Sequence, residues 1–98
     1  MVKIIPVPHP GETIKEDYLT PLGMSVNALA KELGVTAARL NEIVRGRRGI
    51  TADTALRLAR YFHTSPEFWM NLQTFYDLRT AQRRAGAVIE KRVRPCAA

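Results

Sequence analysis

The sequence predicts an all-α domain of five helices built around a helix-turn-helix, continued by a basic C-terminal tail. Three observations carry that prediction. Residues 25–46 hold two amphipathic segments separated only by Gly34, Val35 and a capping Thr36. A Ser or Thr stands immediately before four segments of helical periodicity, at Ser25, Thr36, Thr51 and Ser65, where its hydroxyl can accept an orphan backbone N–H. The chain has 98 residues, 46% of them hydrophobic, which suffices for one small core and one domain.

Residues 1–10 carry Pro6, Pro8 and Pro10. Prolines at that density deny the backbone donors and helical continuity, so this stretch is expected as an extended proline-rich arm. A first helix is expected over 11–19, with Ile14, Tyr18 and Leu19 inward and Glu12, Glu16 and Asp17 near its favourable N-terminal end. Pro21 and Gly23 are expected to break the chain before Ser25.

In the second helix Val26, Leu29, Ala30 and Leu33 share one face. Gly34 supplies the left-handed position that ends it without a Cβ penalty. Thr36 caps the third helix, which turns Leu40 and Ile43, with Val44, inward and closes near Gly46. So short a connection forces the two helices to turn sharply against each other. The result is a helix-turn-helix whose second helix is free to enter a DNA major groove.

A helical hairpin alone has no binding function, and the chemistry of the third helix decides between the two readings. Its other faces carry Ala37, Ala38, Arg39, Asn41, Glu42 and Arg45. Small residues let the backbone approach the bases, an Ala methyl can meet a thymine methyl, Arg can fork onto guanine and Asn can pair with adenine. Arg45-Gly46-Arg47-Arg48-Gly49 follows directly, a basic turn suited to phosphates. DNA is the favoured partner.

Thr51 caps a fourth helix with Asp53 well placed for its dipole, and Ala55, Leu56, Ala59 and Phe62 are expected as its apolar stripe. Ser65-Pro66-Glu67 opens the fifth helix with a cap, a proline at the first position and an acid after it. Phe68, Trp69, Leu72, Phe75 and Tyr76 then give a stripe wider than one small core needs. Phe75, Tyr76 and Leu78 are accordingly expected at a protein–protein surface. The helix-turn-helix domain thus spans 11–78. Residues 79–98 form a basic extension, six cations against Glu90 alone, either partly helical and ordered on a partner or a solvated, disordered terminus.

The net charge of +6 and the isoelectric point near 10.1 favour a polyanionic partner. A single cysteine, Cys96, excludes a disulfide framework or a zinc cluster within one chain. No glycine-rich phosphate loop, His-Glu metal motif or nucleophile beside a base is present. No enzyme, metal or cofactor is therefore proposed by the sequence. The N-terminus lacks the apolar core of a signal peptide, no stretch reaches membrane-spanning length, and the expected location is cytoplasmic.

The run Arg-Leu-Asn-Glu-Ile-Val-Arg-Gly-Arg-Arg-Gly-Ile-Thr-Ala-Asp-Thr-Ala-Leu-Arg-Leu-Ala-Arg-Tyr-Phe (39–62) resembles the HigA-type antitoxins, XRE-like helix-turn-helix proteins of bacterial toxin–antitoxin modules. So do Thr-Ser-Pro-Glu-Phe-Trp-Met-Asn-Leu-Gln (64–73), Tyr-Asp-Leu (76–78) and His-Pro-Gly-Glu (9–12). The resemblance implies a five-helix, lambda-repressor-like (XRE/Cro-type) domain that binds its own operator DNA as a homodimer and represses its operon. It also implies a partner, a HigB-like toxin of the RelE-like class that cleaves mRNA. By position it maps base contacts onto Thr36, Ala37 and Ala38, with Glu42 one turn further; Arg39 and Asn41 complete the expected readers. Ser25, Arg45, Arg47 and Arg48 are the expected phosphate contacts. Toxins of this class are generally basic, so the acids Glu12, Glu16 and Asp17 are the expected toxin-binding face. A stand-alone repressor with no toxin partner needs the same domain and is the alternative.

Overall fold

The computed structural model describes residues 7–97, and those residues form five helices and no strand. Helix α1 covers residues 10–22, α2 Val26–Leu33, α3 Ala37–Val44, α4 Ala52–Phe62 and α5 Pro66–Arg92. All four expected hydroxyl caps are made. Ser25, Thr36, Thr51 and Ser65 accept the amides of Ala28, Arg39, Thr54 and Phe68.

Helix α1 differs from its expectation at both ends. It begins at Pro10, because the His9 Nδ1 accepts the Gly11 amide at 2.9 Å and serves as the cap. It also runs through Pro21 to Leu22. Its middle, Ile14–Leu19, is a π-helical turn, wider than an α turn. With the backbone already displaced from α register, the N–H missing at Pro21 does not end the helix. Gly23, at φ 62°, stops it instead, and the Met24 amide returns to the Leu19 carbonyl at 2.9 Å.

The core lies where α1, α2, α3, α4 and the start of α5 meet. Ile14, Leu29, Leu40, Ile43, Leu58 and Trp69 are its largest fully buried apolar side chains. Trp69 makes tilted contacts with Tyr18 and Phe62, and its indole N–H donates to the Thr64 hydroxyl at 2.7 Å. The stripe of α4 is Ala55, Leu58 and Ala59; Leu56 is 60% exposed. Positions 55, 58, 59 and 62 follow helical spacing, and residue 56 falls about 100° away from 55 on the helical wheel.

The boundary expected at residue 78 does not interrupt the backbone. Helix α5 continues for 27 residues, about 40 Å at 1.5 Å per residue, and Gly86 passes without a break. Beyond residue 80 most of its side chains are exposed, so the basic extension up to Arg92 projects as a helical arm. Among the described residues no helix is long and apolar enough to cross a membrane.

Candidate nucleic-acid interface

Helix α3 is anchored from three sides. Leu40 and Ile43 fill the core beneath it. Gly34, at φ 72°, closes α2, with the Val35 amide returning to the Ala30 carbonyl at 3.0 Å, and so sets the sharp turn that presents α3. At its far end α1 packs against it backbone to backbone, at Gly11.

The exposed positions of this unit are Thr36, Ala38, Glu42 and Arg45, with Ala37 half-buried beside them. Positions 38, 42 and 45 share one helical face, and it is the face turned away from Leu40 and Ile43. Ala38 and Glu42 therefore stand together on the open surface, while Ala37, about 100° round the helix, packs partly against the core.

Two of the expected readers, Arg39 and Asn41, are engaged inside the fold. Arg39 donates through Nη2 to Asp53 at 2.9 Å and to the buried hydroxyl of Thr54, and its side chain is only 27% exposed. It lies on the flank of α3 that meets the start of α4. Asn41 donates both protons of its amide, to Asn27 on α2 at 3.2 Å and to the Ala37 carbonyl at 2.8 Å. Pairing with adenine needs a donor and an acceptor together, and both of its donors are occupied. These bonds brace α3 against its neighbours.

Asp53 binds two arginines at once, since Arg57 Nε also lies 2.9 Å from the same carboxylate oxygen. The hydrogen bond from Arg57, and then that from Arg39, hold the Asp53 carboxyl below its ordinary range. Arg57 in turn donates to the Leu33 carbonyl at 2.8 Å, supporting the turn between α2 and α3.

The basic turn is ordered by Glu42. Its carbonyl accepts the amides of Arg47 at 2.9 Å and Arg48 at 3.3 Å, while its carboxylate sits 3.3 Å from Arg48 Nε. Gly46 adopts φ 78° to allow the reversal. From the other side the buried Gln73 side chain on α5 accepts the Ile50 amide at 2.7 Å and donates to Asp77 at 2.9 Å. Arg45 and Arg47 are exposed and have no carboxylate partner among the described residues. Ser25 is exposed, and with its oxygen accepting from Ala28 it keeps its proton to donate outward.

The remaining expected sites divide. Phe75 and Leu78 are 48% and 57% exposed on α5. Tyr76 instead lies edge-on to the His9 ring at 4.8 Å, on the side of the helix that holds the entering chain. Residue 76 is turned about 100° from residue 75, so the three do not form one patch. Glu16 and Asp17 are exposed on the π-helical turn, whereas Glu12 lines a cavity with arginines of α5. Burial holds the His9 imidazole below its ordinary 6.5, against the opposing pull of Asp77 and Glu12. Among the described residues no His, Cys, Asp and Glu side chains cluster as metal ligands. The expected arm lies largely at residues 1–6, outside the described residues.

Gln73, Asp53, Thr54, His9 and Gly11 are the residues that sequence reading did not single out as shaping this surface. The His-Pro-Gly-Glu motif pointed at the last two without revealing their roles.

The helix-turn-helix family profile matches residues 14–69. Virulence-associated protein I of Dichelobacter nodosus is 57% identical over 79 residues, 81% of this chain and 73% of that protein. An addiction module antidote protein of the HigA family from Coxiella burnetii superposes with a TM-score of 0.89 at 48% identity, covering 94% of this chain and all of the other. The Pseudomonas aeruginosa antitoxin HigA, solved with the higBA promoter, gives a TM-score of 0.87 at 47% identity over 95% of this chain and 98% of the other.

Proposed function

The chain belongs to the HigA antitoxins of the XRE-type helix-turn-helix family, and from that membership we propose that it represses its own operon by binding operator DNA and neutralises a HigB-like toxin. The observation that carries the DNA half is the open face of α3. Ala38, Glu42 and Arg45 share that face, with the exposed cap Thr36 before it and the basic turn through Arg48 after it, and a relative 47% identical is solved with promoter DNA.

In this reading two protomers of a homodimer each lay α3 in a major groove, with half-sites about 34 Å apart. Thr36, Ala37, Ala38 and Glu42 meet the bases. Glu42 can accept from a cytosine amino group, and the Ala methyls can meet thymine methyls. Ser25, Arg45, Arg47 and Arg48 hold phosphates. Arg39 and Asn41 position the helix instead of reading from it. With so few long readers, much of the sequence preference comes from DNA shape.

The toxin half rests on family membership and on charge. Glu16 and Asp17 give α1 an exposed acidic face suited to a basic toxin of the mRNA-cleaving RelE-like class. Co-expression with the small gene beside its own, followed by pulldown and a growth assay, tests this half. A co-purifying partner whose toxicity is relieved supports the antitoxin role. No partner and no effect on growth leaves a stand-alone repressor, whose operator binding a mobility-shift assay on its own upstream region would still detect.

A further inference from the structure

A cavity of about 670 Å³ opens between the chain entering α1, the C-terminal end of α3 and the middle of α5. Arg45, Arg79, Arg83 and Arg84 line it, against the single carboxylate of Glu12. None of the four guanidiniums is within 4 Å of a carboxylate among the described residues. Arg79 donates only to the neutral Gln82, at 2.9 Å, and rests over the Phe75 ring. Four like charges around one recess repel each other, and an anion bound among them removes that repulsion.

The shape points to the size of the anion. Small-molecule sites enclose roughly 300–1,000 Å³, and this recess falls within that span. A duplex is a convex rod, met by protruding side chains such as those of the Arg47–Arg48 turn. A recess takes a ligand small enough to enter it. Guanidinium forks match phosphate oxygens in pairs, and the His9 and Tyr76 rings add an aromatic wall beside them.

We propose that this cavity binds a soluble polyphosphate, the class that includes inorganic tripolyphosphate and nucleoside triphosphates. Arg45 belongs both to the cavity and to the exposed face of α3. A polyphosphate held there draws on a guanidinium offered to DNA, so each ligand weakens the other by the same factor.

The test is calorimetric titration of the full-length protein with sodium tripolyphosphate, and separately with ATP free of magnesium, at low salt and without DNA. Saturable binding at one site per protomer is expected. The exposed pair Arg83→Gln and Arg84→Gln together should weaken it at least tenfold, and Glu12→Gln should tighten it. Lys31→Gln with Arg60→Gln removes the same charge outside the cavity and should leave it unchanged. Absence of a saturable signal, or an equal loss in both double variants, overturns the proposal. So does a loss confined to duplex DNA when the Arg83/Arg84 variant is titrated with each ligand, since that assigns the recess to the DNA backbone. Neither DNA nor toxin enters the primary measurement, so its failure is distinct from failure of operator binding.

Discussion

Gly11 on α1 lies directly against the carbonyl of Ile43 in the last turn of α3. A Cβ built at Gly11 would fall on that oxygen and come within 2.8 Å of Val44 Cα. The helix offered to DNA is therefore seated on a glycine, backbone to backbone, with no side chain between that could yield.

Gly11→Ala should accordingly destabilise the protein by about 2 kcal/mol or more, as an over-packed core does, and displace the end of α3. Gly86→Ala is the contrasting change. It sits inside α5, where the nearest atom to a new Cβ is Gln82 Cβ at 3.9 Å, so it should stabilise by about 0.5–1 kcal/mol. Thermal melts of the two variants should move in opposite directions from the parent. A Gly11→Ala protein with an unchanged midpoint would contradict the seating.

Arg39 is tied to Asp53 and Thr54, so Arg39→Ala should lower stability by about 1 kcal/mol. It should weaken binding to operator and scrambled duplex by the same factor. Arg47→Ala should also weaken both alike, but with unchanged stability and a salt dependence shallower by about 0.9 in log–log slope. A preferential loss on operator DNA for Arg39→Ala would return that residue to the base readers.

Gln73 gives the Ile50 amide its acceptor at 2.7 Å in a buried position. Gln73→Leu keeps much of the volume and leaves that amide unpaired, which should cost about 1–3 kcal/mol. Hydrogen exchange at Ile50 should accelerate more than at the core amides of α2. Uniform acceleration would mean that Gln73 does no more than fill space.

The capping bond at His9 requires Nδ1 without a proton. Burial lowers the folded-state pKa below the 6.5 of the free imidazole, so the folded state takes up this proton later than the unfolded chain. The contribution of neutral His9 is therefore fully present above pH 6.5 and is lost as the pH falls through the depressed folded value. His9→Asn, which can still cap, should flatten stability against pH below 6.5. Asp53 acts lower on the scale. Its folded pKa lies below 3.8, so its share persists above that value and disappears as acid protonates it. An unchanged slope between pH 7 and 5 in His9→Asn would remove His9 as the group responsible.

Local signals in the sequence carried most of the fold. A hydroxyl before an apolar period needs only its own helix to act on, and Ser25, Thr36, Thr51 and Ser65 all cap where that logic places them. Gly34 needs only its own backbone to take a left-handed turn, and the period of Leu40 and Ile43 fixes which side of α3 is buried. The helix-turn-helix and its exposed small-residue face follow from these alone. Partner choice is different, because an arginine's position along a helix does not say which distant acceptor it meets. Arg39 turns to Asp53, Asn41 to Asn27 and Gln73 to Ile50 only once α3 is packed among α1, α2, α4 and α5. The same packing carries α1 past Pro21 through a π-helical turn and separates Tyr76 from Phe75 by docking it on His9. Capping and periodicity act within a few residues and are written in the order of the chain. Hydrogen-bond partners 14 to 24 residues apart are chosen by the geometry of the assembled helices.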